Sequence, residues 1–393
     1  MIKPVVVPVP VTLGNGASRS VGNGASRSPG NGASRSPGNG ASRSPGNGAS
    51  RSPGKGEARL EAMPASGPLV DTFGRIHADI RVSITDRCNL RCVYCMPEEG
   101  VPFRPREEIL TFEEIARVAR VAHGLGVTSL RITGGEPLVR RGVVELVGQL
   151  SGIGFEDLAM TTNGTGLDAL ARPLSEAGLK RVNVSCDSLR PERFSRIRRR
   201  GSLERALTAM DAAEDAGLVP LKVNVVLLRG VNDDEVLEFA AFGRKHHRTV
   251  RFIEYMPLGG DGTWRREQVV QSEDVLQEIH ARWPIVPAAE PGDPSPAERY
   301  RYLDGAGEIG VVGSVTRPFC GTCNRLRLTA DGAIRNCLFS DDEAPIRALL
   351  RSGADDEEVA MALRRSVWSK LPGHGINDPG FLQPVRSMSM IGG

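Results

Sequence analysis

From about residue 78 the chain alternates between short apolar runs and longer amphipathic segments. Apolar runs bounded by polar or glycine-containing stretches predict β-strands, and apolar positions at helical spacing predict helices. The predicted strands are Ile80–Thr85, Ser129–Thr133, Leu158–Thr162, Arg181–Ser185, Leu221–Leu227 and Val250–Tyr255. The predicted helices lie near residues 112–124, 141–151, 166–177, 203–217 and 232–246. Thr111 and Glu114 form a capping-box pattern at the start of the first helix.

This alternation predicts the fold class. Consecutive strand–helix repeats favour an α/β protein with a parallel sheet and right-handed crossovers. Six repeats are fewer than the eight of a closed barrel, so we expect an open, partial (βα)6 TIM-like barrel over residues 71–260. A doubly wound sheet is the alternative architecture.

The pattern changes in residues 261–393. Residues 286–298 are rich in proline and predict a loop, and residues 325–339 predict a hairpin that turns at Asp331-Gly332. Tyr300–Leu303 and Ile309–Val315 predict strands, and two helices are expected near residues 343–352 and 355–370. We therefore expect a small C-terminal α+β cap on the barrel.

The N-terminal segment has a different composition. Five copies of an octad, GNGASRSV once and then GNGASRSP, occupy residues 14–53. Such a repeat has too few apolar residues for a core, so residues 1–70 are predicted to be a disordered leader. Its first 57 residues carry a net charge of +6 against +3 for the whole chain, which leaves −3 for the remainder. A basic nucleic-acid-binding surface is therefore not expected.

The apolar runs and the cysteine spacing indicate the cellular compartment. No apolar run is long enough for a transmembrane helix, and prolines interrupt the apolar residues at the start of the chain. Six of the seven cysteines fall in two clusters, which favours metal ligation over disulfides. We therefore expect a cytoplasmic protein without a membrane or nucleic-acid partner.

Polar motifs follow the predicted strands at one end of the sheet. They are TDRCNLRCVYC, TGGEP, TTNG, SCDS and YMP. Ligands of parallel α/β folds bind at the carboxyl ends of the strands, so we expect the functional site on this rim.

The first of these motifs contains Cys88, Cys92 and Cys95. Three thiolates at this spacing can hold a [4Fe–4S] cluster whose fourth iron has no protein ligand. Zinc is the alternative, although a structural zinc site normally has four ligands. The glycines of TGGEP would leave the backbone free to approach a ligand closely.

A second group of three thiols is formed by Cys320, Cys323 and Cys337. Half of a zinc ribbon is again the alternative, and its fourth ligand would have to be the distant His374. Two groups of three, each one ligand short, indicate two open metal centres.

Cationic residues accompany both groups. Arg325 and Arg327 would project to the same side of an extended strand, and paired guanidinium groups suit a phosphate or a purine edge. A solvated strand face is an equally good interpretation of this pair alone. Arg81, Arg131 and Lys222 add positive charge to the barrel strands, and together these residues indicate a polyphosphate substrate.

Taken together, the motifs resemble the radical S-adenosylmethionine superfamily and, within it, the GTP 3′,8-cyclases that open molybdenum-cofactor biosynthesis. The motifs are SITDRCNLRCVYCMP, RITGGEPLVRR, TTNG, VNVSCDSL, RFIEYMPLG, FCGTCNRLRLTADGAIRNCL and the terminal IGG. The resemblance covers about residues 70–393. The repeat leader departs from that family, and so does Cys186, which we expect to be a packed thiol.

The resemblance implies two [4Fe–4S] clusters, held by the two groups of cysteines, and S-adenosylmethionine as cosubstrate. The residues implied to contact S-adenosylmethionine are Tyr94, Gly135, Ser185 and Met256. Those implied to hold GTP are Arg81, Arg131, Thr162, Lys222, Arg325, Leu326 and Arg327. The residues implied to act in catalysis are Cys88, Cys92, Cys95, Arg325, Arg327, Gly392 and Gly393. The open iron of the second cluster would meet the guanine base.

The implied reaction begins with a 5′-deoxyadenosyl radical that abstracts hydrogen from ribose C3′ of GTP. The C3′ radical then adds to guanine C8, which gives (8S)-3′,8-cyclo-7,8-dihydroguanosine 5′-triphosphate. The implied partners are an electron donor such as flavodoxin or ferredoxin and a cyclic pyranopterin monophosphate synthase that takes the product. The enzyme would be a monomer or a homodimer.

Two other functions remain open at the level of the sequence. One is a different radical enzyme with an auxiliary cluster, such as a peptide-maturation enzyme. The other is a non-catalytic iron–sulfur or zinc protein, which would not account for TGGEP or the cationic residues. The C-terminal SMSMIGG is expected to thread Gly392 and Gly393 into the barrel mouth, whereas a frayed terminus is the simpler alternative.

Overall fold

A computed structural model describes residues 62–259, 262–288 and 293–392 of the chain. Most of the predicted leader lies outside these residues, as does Gly393. No helix of the described residues combines the length and the apolar character that crossing a membrane requires.

The six predicted barrel strands are confirmed. They are β1 (Asp79–Ser83), β2 (Ser129–Thr133), β3 (Asp157–Thr162), β4 (Arg181–Ser185), β5 (Lys222–Leu227) and β6 (Thr249–Glu254). Each strand pairs in parallel with the next, in chain order. A doubly wound sheet would reverse its strand order at a switch point, so this sequential order identifies the open barrel.

Helices connect these strands. They are α1 (Phe112–Gly124), α2 (Val143–Ser151), α3 (Leu167–Glu176), α4 (Pro191–Arg198), α5 (Leu203–Asp215) and α6 (Val236–His246). The capping box of α1 is present, since Thr111 accepts from the Glu114 amide and Glu114 accepts from the Thr111 amide. Helix α4 was not predicted, because only Phe194 and Ile197 give it an apolar face.

The C-terminal region supplies the remaining elements. Its strands are β7 (Ile285–Pro287), β8 (Glu298–Tyr302), β9 (Glu308–Val312), β10 (Arg325–Leu328), β11 (Ala333–Arg335) and β12 (Ala344–Pro345). Its helices are α7 (Ser272–Arg282), α8 (Ile346–Arg351), α9 (Asp356–Trp368) and α10 (Met388–Ile391). The predicted hairpin is confirmed as the antiparallel pair β10–β11, whereas β7, β12, α7 and α10 were not predicted.

The region predicted as a cap does not form a separate sheet. Strand β9 pairs in parallel with β6, and β10 pairs in parallel with β1, so the C-terminal strands extend the barrel sheet at both edges. The resulting order is β12-β11-β10-β1-β2-β3-β4-β5-β6-β9-β8-β7. The physical reason is that an open barrel leaves two edge strands whose backbone groups need partners.

Side-chain alternation separates the core from the barrel interior. On β1, Ile80 and Val82 are fully buried in the apolar layer beneath the helices, while Arg81 between them faces the interior. The same period of two recurs on β2, where Leu130 and Ile132 flank Arg131. The interior of the barrel is therefore polar and cationic.

Candidate active site

Both groups of cysteines face one cavity at the carboxyl ends of the strands. Cys88, Cys92 and Cys95 lie in the loop after β1, and all three line the cavity. Across it lie Cys320 and Cys323, which precede β10, and Cys337, which follows β11. Because β10 pairs with β1, residues more than two hundred positions apart meet in this space. All of these cysteines are free thiols.

The first group has a donor set that fits a cluster with one open iron. Burial raises the pKa of the Cys88 thiol to about 11 and raises that of Cys95 further, so cations must stabilise the thiolates. The cavity borders this group on its open side. Among the described His, Cys, Asp and Glu side chains, no three are grouped so that they could hold a single metal ion. The Cys-x3-Cys-x2-Cys spacing itself favours a cluster over zinc.

A buried ion pair supports the first cysteine loop from below. Arg198 Nε lies 2.8 Å from Asp187 Oδ2, and the same carboxylate accepts a 2.9 Å hydrogen bond from the Tyr94 hydroxyl. The Arg198 guanidinium also contacts the Cys92 thiol, and its Nη2 has no hydrogen-bond partner among the described residues. The sequence did not indicate Arg198, because it lies on the unpredicted helix α4.

The glycines of TGGEP allow close packing against the protein's own backbone, whereas close approach to a ligand was expected. A Cβ atom on Gly134 would lie 2.5 Å from the Thr85 carbonyl oxygen, and one on Gly135 would lie 2.3 Å from the Arg87 carbonyl oxygen. The Gly135 amide also donates to the Thr85 carbonyl oxygen over 2.8 Å. The two glycines therefore let this loop pack directly against the start of the cysteine loop.

Glu136 in the same loop organises the TTNG segment. Its buried carboxylate accepts hydrogen bonds from Thr162 Oγ1 at 2.7 Å and from the Asn163 amide at 2.6 Å. Burial raises the pKa of Glu136 to about 7. Neither Glu136 nor Asn163 was singled out from the sequence, although both belong to motifs that were.

The residues predicted to contact S-adenosylmethionine lie together. Tyr94, Gly135, Ser185 and Met256 all line the cavity beside the first group of cysteines. Thr162, predicted to contact GTP, also lines the cavity, but its hydroxyl donates to Glu136.

A row of three arginines crosses the barrel floor. Arg81 on β1 is in register with Arg327 on β10 and with Arg131 on β2. Burial, together with the charges of Arg327 and Arg131, lowers the pKa of Arg81 well below its usual value. In the described residues, the Nε atoms of Arg81 and Arg131 and Nη2 of Arg325 are buried without a hydrogen-bond partner. Like charges held together with unused donors indicate an anion site.

Three residues near this row differ from expectation. Arg251 on β6 lines the cavity and was missed, although it is a cationic residue at an inward position of an apolar strand. Lys222 does not line the cavity but lies behind it, where burial and then Arg251 lower its pKa to about 7. The Leu326 side chain is fully buried in the hydrophobic core, since alternation along β10 turns it away from both flanking arginines.

The second group of cysteines has its own cationic support. Lys370 Nζ donates to Cys323 Sγ at 3.3 Å and to the Arg325 carbonyl oxygen at 3.0 Å. Burial acts to raise the pKa of Cys323, but Arg325 and Lys370 together lower it to about 6. A thiol with this pKa is well suited to metal ligation.

His374 does not complete a zinc site here. It lines the cavity, but Nδ1 accepts a 3.2 Å hydrogen bond from the Ile376 amide, and the ring also bonds to the Ser314 backbone. With its imidazole engaged in this way, His374 is not free to act as a fourth ligand of this group.

The C-terminal segment enters the site. The Met388 amide donates to the Leu258 carbonyl oxygen at 2.8 Å, and the Ser389 amide donates to the Cys95 thiol. Arg327 Nη1 donates to the Gly392 carbonyl oxygen at 2.5 Å. The segment therefore contacts both the first cysteine loop and the arginine row.

Two families of known proteins match this chain. The chain matches the Radical SAM superfamily over residues 82–243 and the Molybdenum Cofactor Synthesis C family over residues 248–376. It is 47% identical over 333 residues to a GTP 3′,8-cyclase of Mycobacterium sp. (strain KMS), covering 84% of this chain and 95% of that protein. It is also 47% identical over 328 residues to a GTP 3′,8-cyclase of Streptomyces coelicolor, covering 83% and 96%.

A solved structure has the same fold. Streptococcus suis SuiB bound to S-adenosylmethionine superimposes with a TM-score of 0.51 at 14% identity. The match covers 79% of this chain and 65% of the SuiB chain. This similarity concerns the fold alone.

Proposed function

Since the chain belongs to the GTP 3′,8-cyclase family of the radical S-adenosylmethionine superfamily, we propose that its cavity converts GTP to (8S)-3′,8-cyclo-7,8-dihydroguanosine 5′-triphosphate. This is the first step of molybdenum-cofactor biosynthesis. One observation carries the proposal: two groups of three thiols and a row of buried arginines line the same cavity.

Cys88, Cys92 and Cys95 would hold a [4Fe–4S] cluster, which supplies the electron for reductive cleavage of S-adenosylmethionine. Tyr94, whose hydroxyl is fixed by Asp187, would flank the cosubstrate. The cavity walls would keep water from the radical that abstracts hydrogen from C3′.

The arginine row would hold the triphosphate. Among the described residues, Arg81, Arg131 and Arg325 have buried donors without a hydrogen-bond partner, and Arg327 and Arg251 add further cations to the cavity lining. Guanidinium groups suit phosphate oxygens because they donate two hydrogen bonds in one plane. Their fixed positions on paired strands would hold the ribose while C3′ and C8 react.

Cys320, Cys323 and Cys337 would hold a second [4Fe–4S] cluster, with its open position toward the guanine base. The engaged imidazole of His374 supports an open site, and Lys370 supports the thiolate of Cys323. The base would then be held at one end of the cavity and the triphosphate at the other.

The proposed reaction has two protein partners. A one-electron donor such as a flavodoxin or ferredoxin would reduce the first cluster. The cyclised nucleotide would pass to a cyclic pyranopterin monophosphate synthase.

Anaerobic reconstitution tests this proposal. We expect about eight irons per chain, as two cubane clusters require. The reduced protein should then convert GTP in the presence of S-adenosylmethionine and form 5′-deoxyadenosine, both measured by mass spectrometry, while ATP should give no cyclised product. A protein that binds about four irons and leaves GTP unchanged would contradict the proposal.

A further inference from the structure

The first cysteine loop reaches the protein surface beside Cys92. Within residues 90–96, Val93 is the exposed side chain, at 37% relative exposure, and Cys92 beside it is buried. The Val93 amide donates to the Ile197 carbonyl oxygen at 3.0 Å, and the Arg91 amide donates to the Arg198 carbonyl oxygen at 3.2 Å. The C-terminal end of α4 therefore lies directly against this exposed point.

The arginines of α4 differ in how they are neutralised. Arg190 pairs with Asp234 at 2.7 Å, and Arg193 pairs with Glu235 at 2.7 Å. Further along, Arg196 and Arg200 are exposed, and neither forms an ion pair within the described part of the chain. The end of α4 nearest the cysteine loop thus carries the free positive charge.

Arg198 and Arg199 connect this surface to the loop. Arg199 Nη1 donates to the Met96 carbonyl oxygen at 3.3 Å, and its Nε lies 3.9 Å from exposed Glu98. Arg198 points inward to Cys92 and Asp187. Residues 196–200 therefore place one buried cation, Arg198, beside Cys92 and place Arg196 and Arg200 in solvent.

We propose that Val93, Arg196 and Arg200 form an electron-entry face that docks an acidic one-electron carrier protein. The proposal rests on the proposed function, which places an iron–sulfur cluster behind Val93. A positively charged rim around a small apolar contact suits the weak, electrostatically steered complexes of redox proteins. Exposed Arg199 adjoins this face, so its three exposed arginines outnumber the exposed Glu98 and Glu99 by one.

The electron balance is simple. The reduced carrier loses one electron and returns to its oxidised form, and one molecule of S-adenosylmethionine is cleaved for each electron that enters. No bond forms between the carrier and this chain.

Charge reversal on this face tests the proposal. The variant is Arg196→Glu/Arg200→Glu, and the matched control is Arg120→Glu/Arg301→Glu, which reverses two exposed arginines on α1 and β8. The probes are a flavodoxin and a plant-type [2Fe–2S] ferredoxin, each with an acidic surface. Dithionite is the small reductant that needs no docking.

We expect the face variant to lose at least tenfold in 5′-deoxyadenosine formation supported by either carrier, with the dithionite-supported rate unchanged. Its affinity for the oxidised carrier, measured by calorimetry, should fall at least tenfold in low salt. This difference should shrink in high salt, because screening shortens the range of the charges. The control variant should match the wild-type protein in every measurement.

Unchanged carrier affinity and carrier-supported rate in the face variant would overturn the proposal. If dithionite-supported activity also falls, the calorimetric affinity decides, since it does not depend on turnover. Loss with one carrier alone would identify which class docks here. Failure of wild-type protein to convert GTP with dithionite would instead reject the proposed function.

Discussion

Arg327 donates a hydrogen bond from Nη1 to the main-chain carbonyl oxygen of Gly392. The partner of Arg327 in β1 is Arg81, so this bond joins the C-terminal segment to the row of arginines in the barrel. The segment therefore forms one wall of the proposed triphosphate site.

Gly392→Ala should reduce GTP conversion strongly. Gly392 has a φ of +82°, and a Cβ atom there would lie 2.3 Å from Thr133 Oγ1, so the segment must move away from Arg327. We expect loss of most cyclised product, with iron content and cleavage of S-adenosylmethionine retained. Gly380→Ala is the control, because a Cβ there meets nothing within 4 Å. Full conversion by Gly392→Ala would assign the segment a passive role.

The first cysteine group and Cys186 should behave differently. Cys88→Ser is expected to abolish cleavage of S-adenosylmethionine, because a cluster held by two thiolates is unstable. Cys186 is fully buried, and its thiol donates to the Ser188 carbonyl oxygen at 3.4 Å, outside the cavity lining. Cys186→Ser should keep its full iron content, measured after reconstitution. Loss of iron in that variant would mean that the ligand assignment is wrong.

Cys320→Ser should separate radical formation from cyclisation. We expect about half of the iron to remain and 5′-deoxyadenosine to form slowly, while cyclised product disappears because the base is no longer held. Mass spectrometry measures 5′-deoxyadenosine and the cyclised nucleotide, and iron quantification measures cluster content. Normal product yield from protein that lacks the second cluster would limit that cluster to a structural role.

Arg198→Met should make the first cluster harder to reduce. A buried cation beside Cys92 stabilises the added electron, and a loss of 1.4 kcal/mol corresponds to about 59 mV in a one-electron couple. A dye-mediated potential titration should therefore show a more negative midpoint. Since this change leaves Asp187 unpaired, Arg198→Met/Asp187→Asn is the control for burial of an isolated charge. An unchanged midpoint in both variants would refute this role.

GTP affinity should depend on pH through Lys222. Burial and neighbouring arginines lower its pKa to about 7, so the free protein loses this positive charge as the pH rises through 7. Affinity should then fall above pH 7, because the arginines that would hold the anion lose the support of a nearby positive charge. In Lys222→Arg the side chain stays charged, so the fall in GTP affinity that Lys222 causes should be absent. Any change in affinity that comes from titration of the GTP phosphates should remain. Identical profiles for both proteins, measured by calorimetry between pH 6 and 9, would exclude Lys222.

The barrel was predictable because its signals are local. Each strand is a short apolar run. The loops with polar and cysteine motifs lie at one end of the sheet because parallel strands share a direction. The position of β10 beside β1 was not predictable, since nothing in RLRL specifies which edge it joins. The register of Arg81 with Arg327, on which the triphosphate site depends, follows only from that pairing.

The cavity residues were predictable where a motif marked them. Tyr94 and Ser185 adjoin distinctive sequences, and both line the site. Arg198 and Lys370 have no such marker, because a buried cation within or just after a polar helix resembles a solvated one until its partners are known. Leu326 shows the opposite error, in which membership of a motif suggested a contact that strand alternation prevents.

The position of β10 between β11 and β1 also constrains how the protein is made on the ribosome. Strands β1 to β6 leave the exit tunnel first, so a nascent chain exposes the free edge of β1 until residues 325–328 emerge. During that interval the chain already has the first cysteine loop but no opposite wall and no C-terminal segment. The site is enclosed only after residues 325–392 have emerged. An arrested or truncated chain that takes up iron would hold it in an open cleft beside an unpaired strand edge. Such an edge is prone to aggregation and accessible to chaperones and proteases.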